Sequence, residues 1–387
     1  MTAVVLGSGP GTDVHVVANA GGDAAVAWQS GVLRPRVMLA VRRGRGRFGR
    51  ALVVGRGGAP RLGIDAAGDV LIAWKAGTRV RLRWVSARGR LSRVQEVAGA
   101  SADVAVSAGG AGVVVWSHDA VWAASGPANR RLGAPRRVSG PAATYPRVVV
   151  GADGTLVAAW RRADAVEAAT TRIGRRFGAA ARLSAPLGVG APAVAVAPDG
   201  GVLVAWDQVE QPELPHPIAV AAAWRDRDAA SFSPPQTLSG SPPPIGAYRD
   251  VAVAAGRDGY GLVVWPADDL MLGTDLELAE RTGGAFGAQR PLDTRPDRAA
   301  ENPAATIGAR GQPVIAWQHS TGVACPGGRS ESCYDTGIRP LVALGSPAGG
   351  RVEALAREGL QPSVAAVPGG ALVAWSGHRI AVAQVAG

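Results

Sequence analysis

Asp199-Gly200-Gly201-Val202-Leu203-Val204-Ala205-Trp206 is a turn followed by four small or branched apolar residues and a tryptophan. The pattern recurs along the chain, ending at Trp28, Trp74, Trp116, Trp160, Trp206, Trp265, Trp317 and Trp375. Most copies read turn, apolar triplet, Trp, as in Leu71-Ile72-Ala73-Trp74, Val113-Val114-Val115-Trp116 and Leu372-Val373-Ala374-Trp375. A chain of 387 residues would ordinarily suggest two or three domains, but a fixed internal period predicts one repetitive domain over residues 1–387.

Upstream of each Trp lies a second strand pattern that runs into the turn, clearest in Tyr145-Pro146-Arg147-Val148-Val149-Val150 and Ala191-Pro192-Ala193-Val194-Ala195-Val196. Asp-Gly or Gly-Gly then closes a hairpin. Downstream comes a third strand, residues 79–86, 165–172 and 218–224 in repeats two, four and five, and then a short fourth between Phe-Gly and Leu-Ser. All four phenylalanines, Phe48, Phe177, Phe232 and Phe286, occupy this one repeat position. Four antiparallel strands recurring at roughly 42 to 59 residues predict an all-β, eight-bladed β-propeller. The alternative is seven blades and an irregular module.

A lone blade cannot bury both its faces, so blades must stack in a ring with the Trp between neighbours. The eighth repeat has three strands and stops, while Thr2 to Gly7 precedes the first strand of repeat one as fourth strands precede theirs. The N-terminal strand is therefore expected to join the last blade and close the ring, covering a sheet edge. A monomer is expected.

Hydrophobic residues make up 47% of the chain, chiefly Ala and Val, and no apolar run approaches the ~20 residues that span a bilayer. Membrane insertion is not expected. The net charge of +11 is uneven: residues 1–190 carry 27 basic against 10 acidic residues and residues 191–387 carry 14 against 20. Of the 41 basic residues only Lys75 is lysine, which is read as GC-rich coding bias in preference to selection for guanidinium chemistry. The arginines of the basic half are scattered, with few aromatics interleaved for stacking, so nucleic acid is not the expected partner.

Cys325 and Cys333 flank a Pro-Gly-Gly loop, and a disulfide between them is expected, against two free thiols. The disulfide reading implies a secreted or cell-surface protein whose signal peptide is not in this chain.

The start of each first strand and the end of each second should meet at the top face. The residues opening the first strands are Asp13, Arg61, Asp103, Arg147, Ala193, Asp250, Ala304 and Ser363, joined by His15, Tyr145 and Arg249. They make either a ring of salt bridges around the channel mouth or a polar pocket on the axis. The segments after Trp206, Trp265 and Trp317 are long, and they carry Asp207, Glu210, Glu213, His216, Asp268, Asp269, His319 and Asp335. Insertions on one face of a repeat array usually mark its binding side. Solvated loop charge explains them too. Their oxygens could serve calcium, although no calcium-loop spacing is present, and no other cofactor is implied.

The repeat from Ala191 to Trp206, with Phe-Gly-Ala and Leu-Ser, resembles exported actinobacterial propeller proteins grouped loosely with sialidase-like propellers. The resemblance covers nearly the whole chain and lies in the repeat pattern. Sialidases carry an arginine triad and a Tyr-Glu nucleophile pair, which the resemblance would place on Arg61, Arg147 and Arg249 with Tyr145 or Tyr248. Here the Asp-Gly turns lack the Ser and Thr of the sialidase box, and no Glu is identifiable as the tyrosine's partner. No Gly-x-Ser-x-Gly, Gly-Lys-Ser/Thr or His-Glu-x-x-His motif occurs. The expectation is a non-catalytic propeller binding a glycan or protein ligand on its top face near blades five to seven. The alternative is a sialidase-like glycoside hydrolase using the axial arginines.

Overall fold

Period-two alternation in the apolar stretch before each Trp gives that strand two buried faces. Val26 and Trp28 pack on one side while Ala25 and Ala27 pack on the other. In the computed structural model, which describes residues 3–7, 9–185, 188–211, 214–239, 251–269, 273–293, 298–320, 322–324, 334–344 and 351–386, this strand is the second of four in every blade. Its copies are Ala24–Ser30, Val70–Ala76, Ala111–Ser117, Thr155–Arg162, Val202–Gln211, Gly261–Asp269, Pro313–His319 and Gly370–Ser376. Blade one runs outward from Gly11–Ala18 through Ala24–Ser30 and Arg36–Arg42 to Leu52–Arg56, all antiparallel, and the other blades follow the same order.

Every repeat Trp is at most 3% exposed and packs against the preceding blade. Trp74 meets Leu39 and Val54 of blade one, Trp116 meets Leu82 and Trp84 of blade two, and Trp375 meets Val314 and Val342 of blade seven. Trp28 completes the series by packing on Val367, Leu372 and Ile380 of blade eight. Burying one such indole is worth up to about 4 to 6 kcal/mol. The tryptophans are therefore the interface between blades. Each phenylalanine joins the same seams, with Phe286 8% exposed against the blade-five cluster.

Closure follows the expected route. Val4–Gly7 pairs antiparallel with Ile380–Ala386, Val4 opposite Val382 and Val5 opposite Ala381, giving blade eight its outer strand. A left-handed glycine recurs in every turn between first and second strands as well. Gly22, Gly68, Gly110, Gly154, Gly200, Gly259, Gly311 and Gly369 all have φ between 71° and 97°. The hydrogen bond from Gly200 N to Ala197 O, 2.9 Å, marks a turn whose last residue is left-handed, a conformation glycine adopts without penalty. Neighbouring turns are tied together on this lower face: Asn19 Nδ2 donates to Asp65 O at 2.8 Å and Ala66 N to Ala108 O at 3.1 Å.

Blades five to seven depart from the plain repeat. The segments after Trp206 and Trp265 continue as strand, to Gln211 and Asp269, and return as Leu214–Arg225 and Gly273–Thr282. What the sequence suggests as loops are thus hairpins rising from the top face. A short parallel bridge, Gly273 with Arg298 and Thr274 with Ala299, links blade six to blade seven, and Gly322–Ala324 pairs with Tyr334–Thr336. Cys325 and Cys333 lie outside the described residues, as do Arg249 and Asp250.

Candidate functional site: the axial mouth of the top face

The innermost strands begin at the top face, and in several of them the chain bulges before it settles. Asp13, Ala59, Tyr145, Asn302 and Gln361 all have φ between 47° and 52°, and the pairing register shifts across each. Proline follows four of the five, at 60, 146, 303 and 362, and Val14 follows Asp13. Left-handed backbone at non-glycine residues costs about 1–3 kcal/mol per position and is characteristic of functional rims.

The bulge resets which residue reaches the axis. Pairing places His15 opposite Ala27, Arg61 opposite Ala73, Asp103 opposite Val115 and Arg147 opposite Ala159, each partner preceding its repeat Trp. On the other half of the ring the same register selects Ala193, Ala252, Ala304 and Ser363. In blade one Asp13 sits on the bulge and the ring register falls on His15; in blade six it falls on Ala252, Asp250 lying outside the described residues.

The mouth therefore has two unlike walls. Blades one to four contribute His15, Arg61, Asp103 and Arg147; blades five to seven contribute three alanines. The charged side chains are close enough to act on one another across blades. Burial and the nearby Arg147 push the Arg61 guanidinium below its ordinary value, offset in part by Asp103 and Asp13. Burial, reinforced by Arg61 and Arg147, lowers His15 to about 3, so its imidazole is neutral at physiological pH. His15 Nδ1 is buried and has no hydrogen-bond partner.

Asp103 is held by structure. Its Oδ2 accepts the backbone N–H of Val148 at 2.9 Å, in the next blade. Ser363 does the same for blade one, its Oγ accepting from Val16 N at 3.1 Å. Arg61 donates to its neighbour's carbonyl, Pro60 O, at 3.0 Å. Asp13 receives a 3.4 Å bond from Thr12 Oγ1, and its backbone N–H reaches Gln361 Oε1 at 3.4 Å. Tyr145 stands 45% exposed at the rim with the Arg161 guanidinium 5.0 Å from its ring centroid. Beside Arg147 this makes a cationic rim.

The acidic residues of blades five to seven are less of a set than their spacing suggests. Asp207 is 7% exposed within its strand, and a Cβ on Gly190 would lie 1.8 Å from its Oδ1, so the glycine permits that packing. His319 is 1% exposed at the end of its strand. Neither is a solvated loop residue. Asp268 and Asp269 belong to the blade-six hairpin, where the backbone pairs with Thr274 and Gly273. Among the described residues, no group of three or more His, Cys, Asp or Glu is placed to hold a metal ion.

A Tyr–Glu pair does exist, at the wrong end for the axial arginines. Tyr260 Oη donates to Glu280 Oε1 at 2.5 Å, and Arg290 pairs with the same carboxylate. Tyr260 lies in the blade-six turn, on the face opposite the mouth. Tyr145, beside Arg147, has no carboxylate partner among the described residues.

No protein-family model matches the chain, and no curated protein matches it. Solved structures do. An ulvan lyase, a polysaccharide lyase bound to GlcA(1-4)Rha3S, is similar with a TM-score of 0.55 at 10% identity, over 100% of this chain and 96% of that one. A protein from Dyadobacter fermentans gives 0.49 at 10% identity over 98% and 96%. The intramolecular trans-sialidase of Ruminococcus gnavus gives 0.47 at 8% identity over 81% and 92%. The likeness to the lyase is one of fold, and it agrees with the propeller architecture.

Proposed function

We propose that this chain is a non-catalytic, exported propeller that binds an acidic glycan at the axial mouth of its top face. The acidic group lies between Arg61 and Arg147, and the sugar ring occupies the space over Ala193, Ala252 and Ala304, below the hairpins of blades five and six. The observation that carries this reading is that Arg61 and Arg147 hold the same ring position in blades two and four, near enough for Arg147 to add to the lowering of the Arg61 guanidinium. An anion between them relieves their repulsion, and guanidinium groups bind carboxylates in a fixed fork geometry. A neutral His15 adds no competing charge.

The sialidase-like reading needs a tyrosine activated by a carboxylate beside the arginines; Tyr145 has no carboxylate partner among the described residues, and the Tyr–Glu pair at 260 and 280 is on the other face. A glycan array comparing uronate- or sialate-bearing with neutral oligosaccharides tests the proposal. Acidic glycans are expected to bind without turnover, and Arg61→Ala together with Arg147→Ala to abolish binding. Release of sugar from a reporter glycoside, lost in Arg147→Ala, would overturn the non-catalytic reading. Absence of any acidic-glycan binding would overturn the site.

A further inference from the structure

A second cavity, of about 590 Å³, opens between the outer parts of blades three and four, on the side of the ring away from the axial mouth. Val113, Ala123 and Val138 of blade three and Leu156 and Phe177 of blade four give it an apolar floor. Four arginines line it from opposite sides. Arg136 and Arg137 come from the outermost strand of blade three, and Arg175 and Arg176 from the turn before the outer strand of blade four. All four are exposed.

These arginines differ from their neighbours in having no counter-charge in the lining. Elsewhere in blade four the sequence supplies one: Arg162 pairs with Glu167 at 2.6 Å, Arg172 with Asp153 at 3.5 Å and Arg182 with Asp164 at 3.1 Å. Among the described residues, none of Arg136, Arg137, Arg175 and Arg176 forms an ion pair, and no Asp or Glu lines the cleft. Asp119, which lies within the field of Arg137 and accepts from Trp122 Nε1 at 2.9 Å, is outside the lining.

Their backbones are ordered. Arg175 N donates to Arg172 O at 2.9 Å, Thr171 Oγ1 donates to Arg176 O at 2.7 Å, and Gly174 takes φ 79° to make that turn. On the facing wall Arg136 pairs opposite Ala123, on the strand face that Val138 shares. Arg136 on one wall and Arg175 and Arg176 on the other thus flank an apolar floor, while Arg137, opposite Trp122 in the strand pairing, belongs to the alternate face of its strand. The volume is that of a small-molecule site.

We propose that this cleft binds a sugar ring carrying two or more sulfate or phosphate groups. The ring lies with its C–H face over Val138 and Phe177, and the anionic groups are held from both walls by charge-assisted bonds from the arginines. A single carboxylate would satisfy one wall only. A tetrahedral oxyanion presents several acceptor oxygens, which suits paired guanidinium forks.

The experiment is calorimetric titration of the full chain with a heparin-derived sulfated disaccharide and, separately, with inositol hexakisphosphate. At least one is expected to bind, and which one binds tighter identifies sulfate or phosphate as the natural group. Arg175→Glu with Arg176→Glu, and independently Arg136→Glu, are each expected to weaken binding at least tenfold, since each removes charge-assisted contacts. The control is Arg45→Glu with Arg47→Glu, the corresponding exposed turn of blade one, which makes the same charge change before Phe48. Equal loss in the control would reduce the effect to net charge and overturn the site. So would no binding by the unmodified chain, or equally tight binding of an oligoglutamate peptide. In the Arg61→Ala with Arg147→Ala background, where the axial mouth no longer holds an acidic glycan, the cleft component of binding is expected to persist, which separates the two sites.

Discussion

Val16 donates its backbone N–H to the Oγ of Ser363 at 3.1 Å, joining two residues 347 positions apart in sequence. The bond crosses the seam at which the ring closes, and the Val4–Gly7 strand covers the same seam from outside. Ser363→Ala leaves a half-buried donor without its acceptor, at about 1–3 kcal/mol. Removing residues 1–8 exposes the edge of Ile380–Ala386, whose Val382 is 2% exposed in the intact ring. Urea denaturation is expected to show a lower midpoint for both variants, and the truncated chain to aggregate through its free edge. Unchanged midpoints in both would mean that the seam contributes little.

The repeat tryptophans should be costly to truncate and unequal to the others. Trp160 is fully buried and its Nε1 donates to Glu167 Oε2 at 2.9 Å, while that carboxylate also holds Arg162. Trp160→Ala is expected to cost about 3–5 kcal/mol. Trp122 is only partly buried, and Trp122→Ala is expected to cost less than half as much. Denaturant titration of the two variants compares them directly.

Such positions were legible because one physical requirement, filling the gap between blades, recurs wherever a blade meets its neighbour. The closing strand was legible for the same reason: the last repeat lacks an outer strand that the N-terminus can supply. The axial ring was only half legible. Counting from the apparent start of each strand selects Asp13, whereas the left-handed bulge at Asp13 carries His15 to the position of Arg61 and Arg147. The prolines at 60, 146, 303 and 362 mark the bulge in four blades, but blade one has Val14 there, so the cue is missing where it mattered. Asp207 reads as loop charge because the repeat ends at Trp206; in the fold the strand continues and buries it. The arginine cleft left no local signal at all, since its walls come from segments some forty residues apart and its identity lies in carboxylates that are missing.

One buried and one half-buried titratable group should give the protein an unusual pH profile. His15 is lowered from 6.5 to about 3, chiefly by burial, so between those values the unfolded chain binds a proton that the folded chain refuses. Its contribution is complete above about pH 6.5 and is lost as pH falls toward 3. Glu277 is raised from 4.5 to about 7 by burial and by Asp275, and its Oε2 is buried without a partner. There the folded chain keeps a proton that the unfolded chain releases, so stability is complete below 4.5 and is lost as pH rises through 7. The two slopes, each at most about 1.4 kcal/mol per pH unit, oppose one another between 4.5 and 6.5. Stability measured by denaturant in that window is expected to be nearly flat in the unmodified protein. His15→Gln should then fall with rising pH and Glu277→Gln should climb. Parallel profiles for both variants would refute the assignment.

The alanine half of the mouth can be tested without touching a charge. Ala193 follows Arg147 around the ring, is partly buried, and pairs with Ala205 just before Trp206. A tryptophan there would project into the space assigned to the sugar ring while Arg61 and Arg147 stay in place. Ala193→Trp is expected to weaken acidic-glycan binding at least tenfold, because losing a few well-packed contacts of a small ligand costs more than about 1.4 kcal/mol. Thermal unfolding of the variant serves as the control: an unchanged midpoint with lost binding means the indole occupies the ligand's place. If binding survives with the indole present and the fold intact, the ligand does not enter between the alanines, and the arginines must be read from outside the mouth. That outcome would leave their mutual repulsion as a purely structural feature of the rim, stabilised by Asp103 and Asp13 alone.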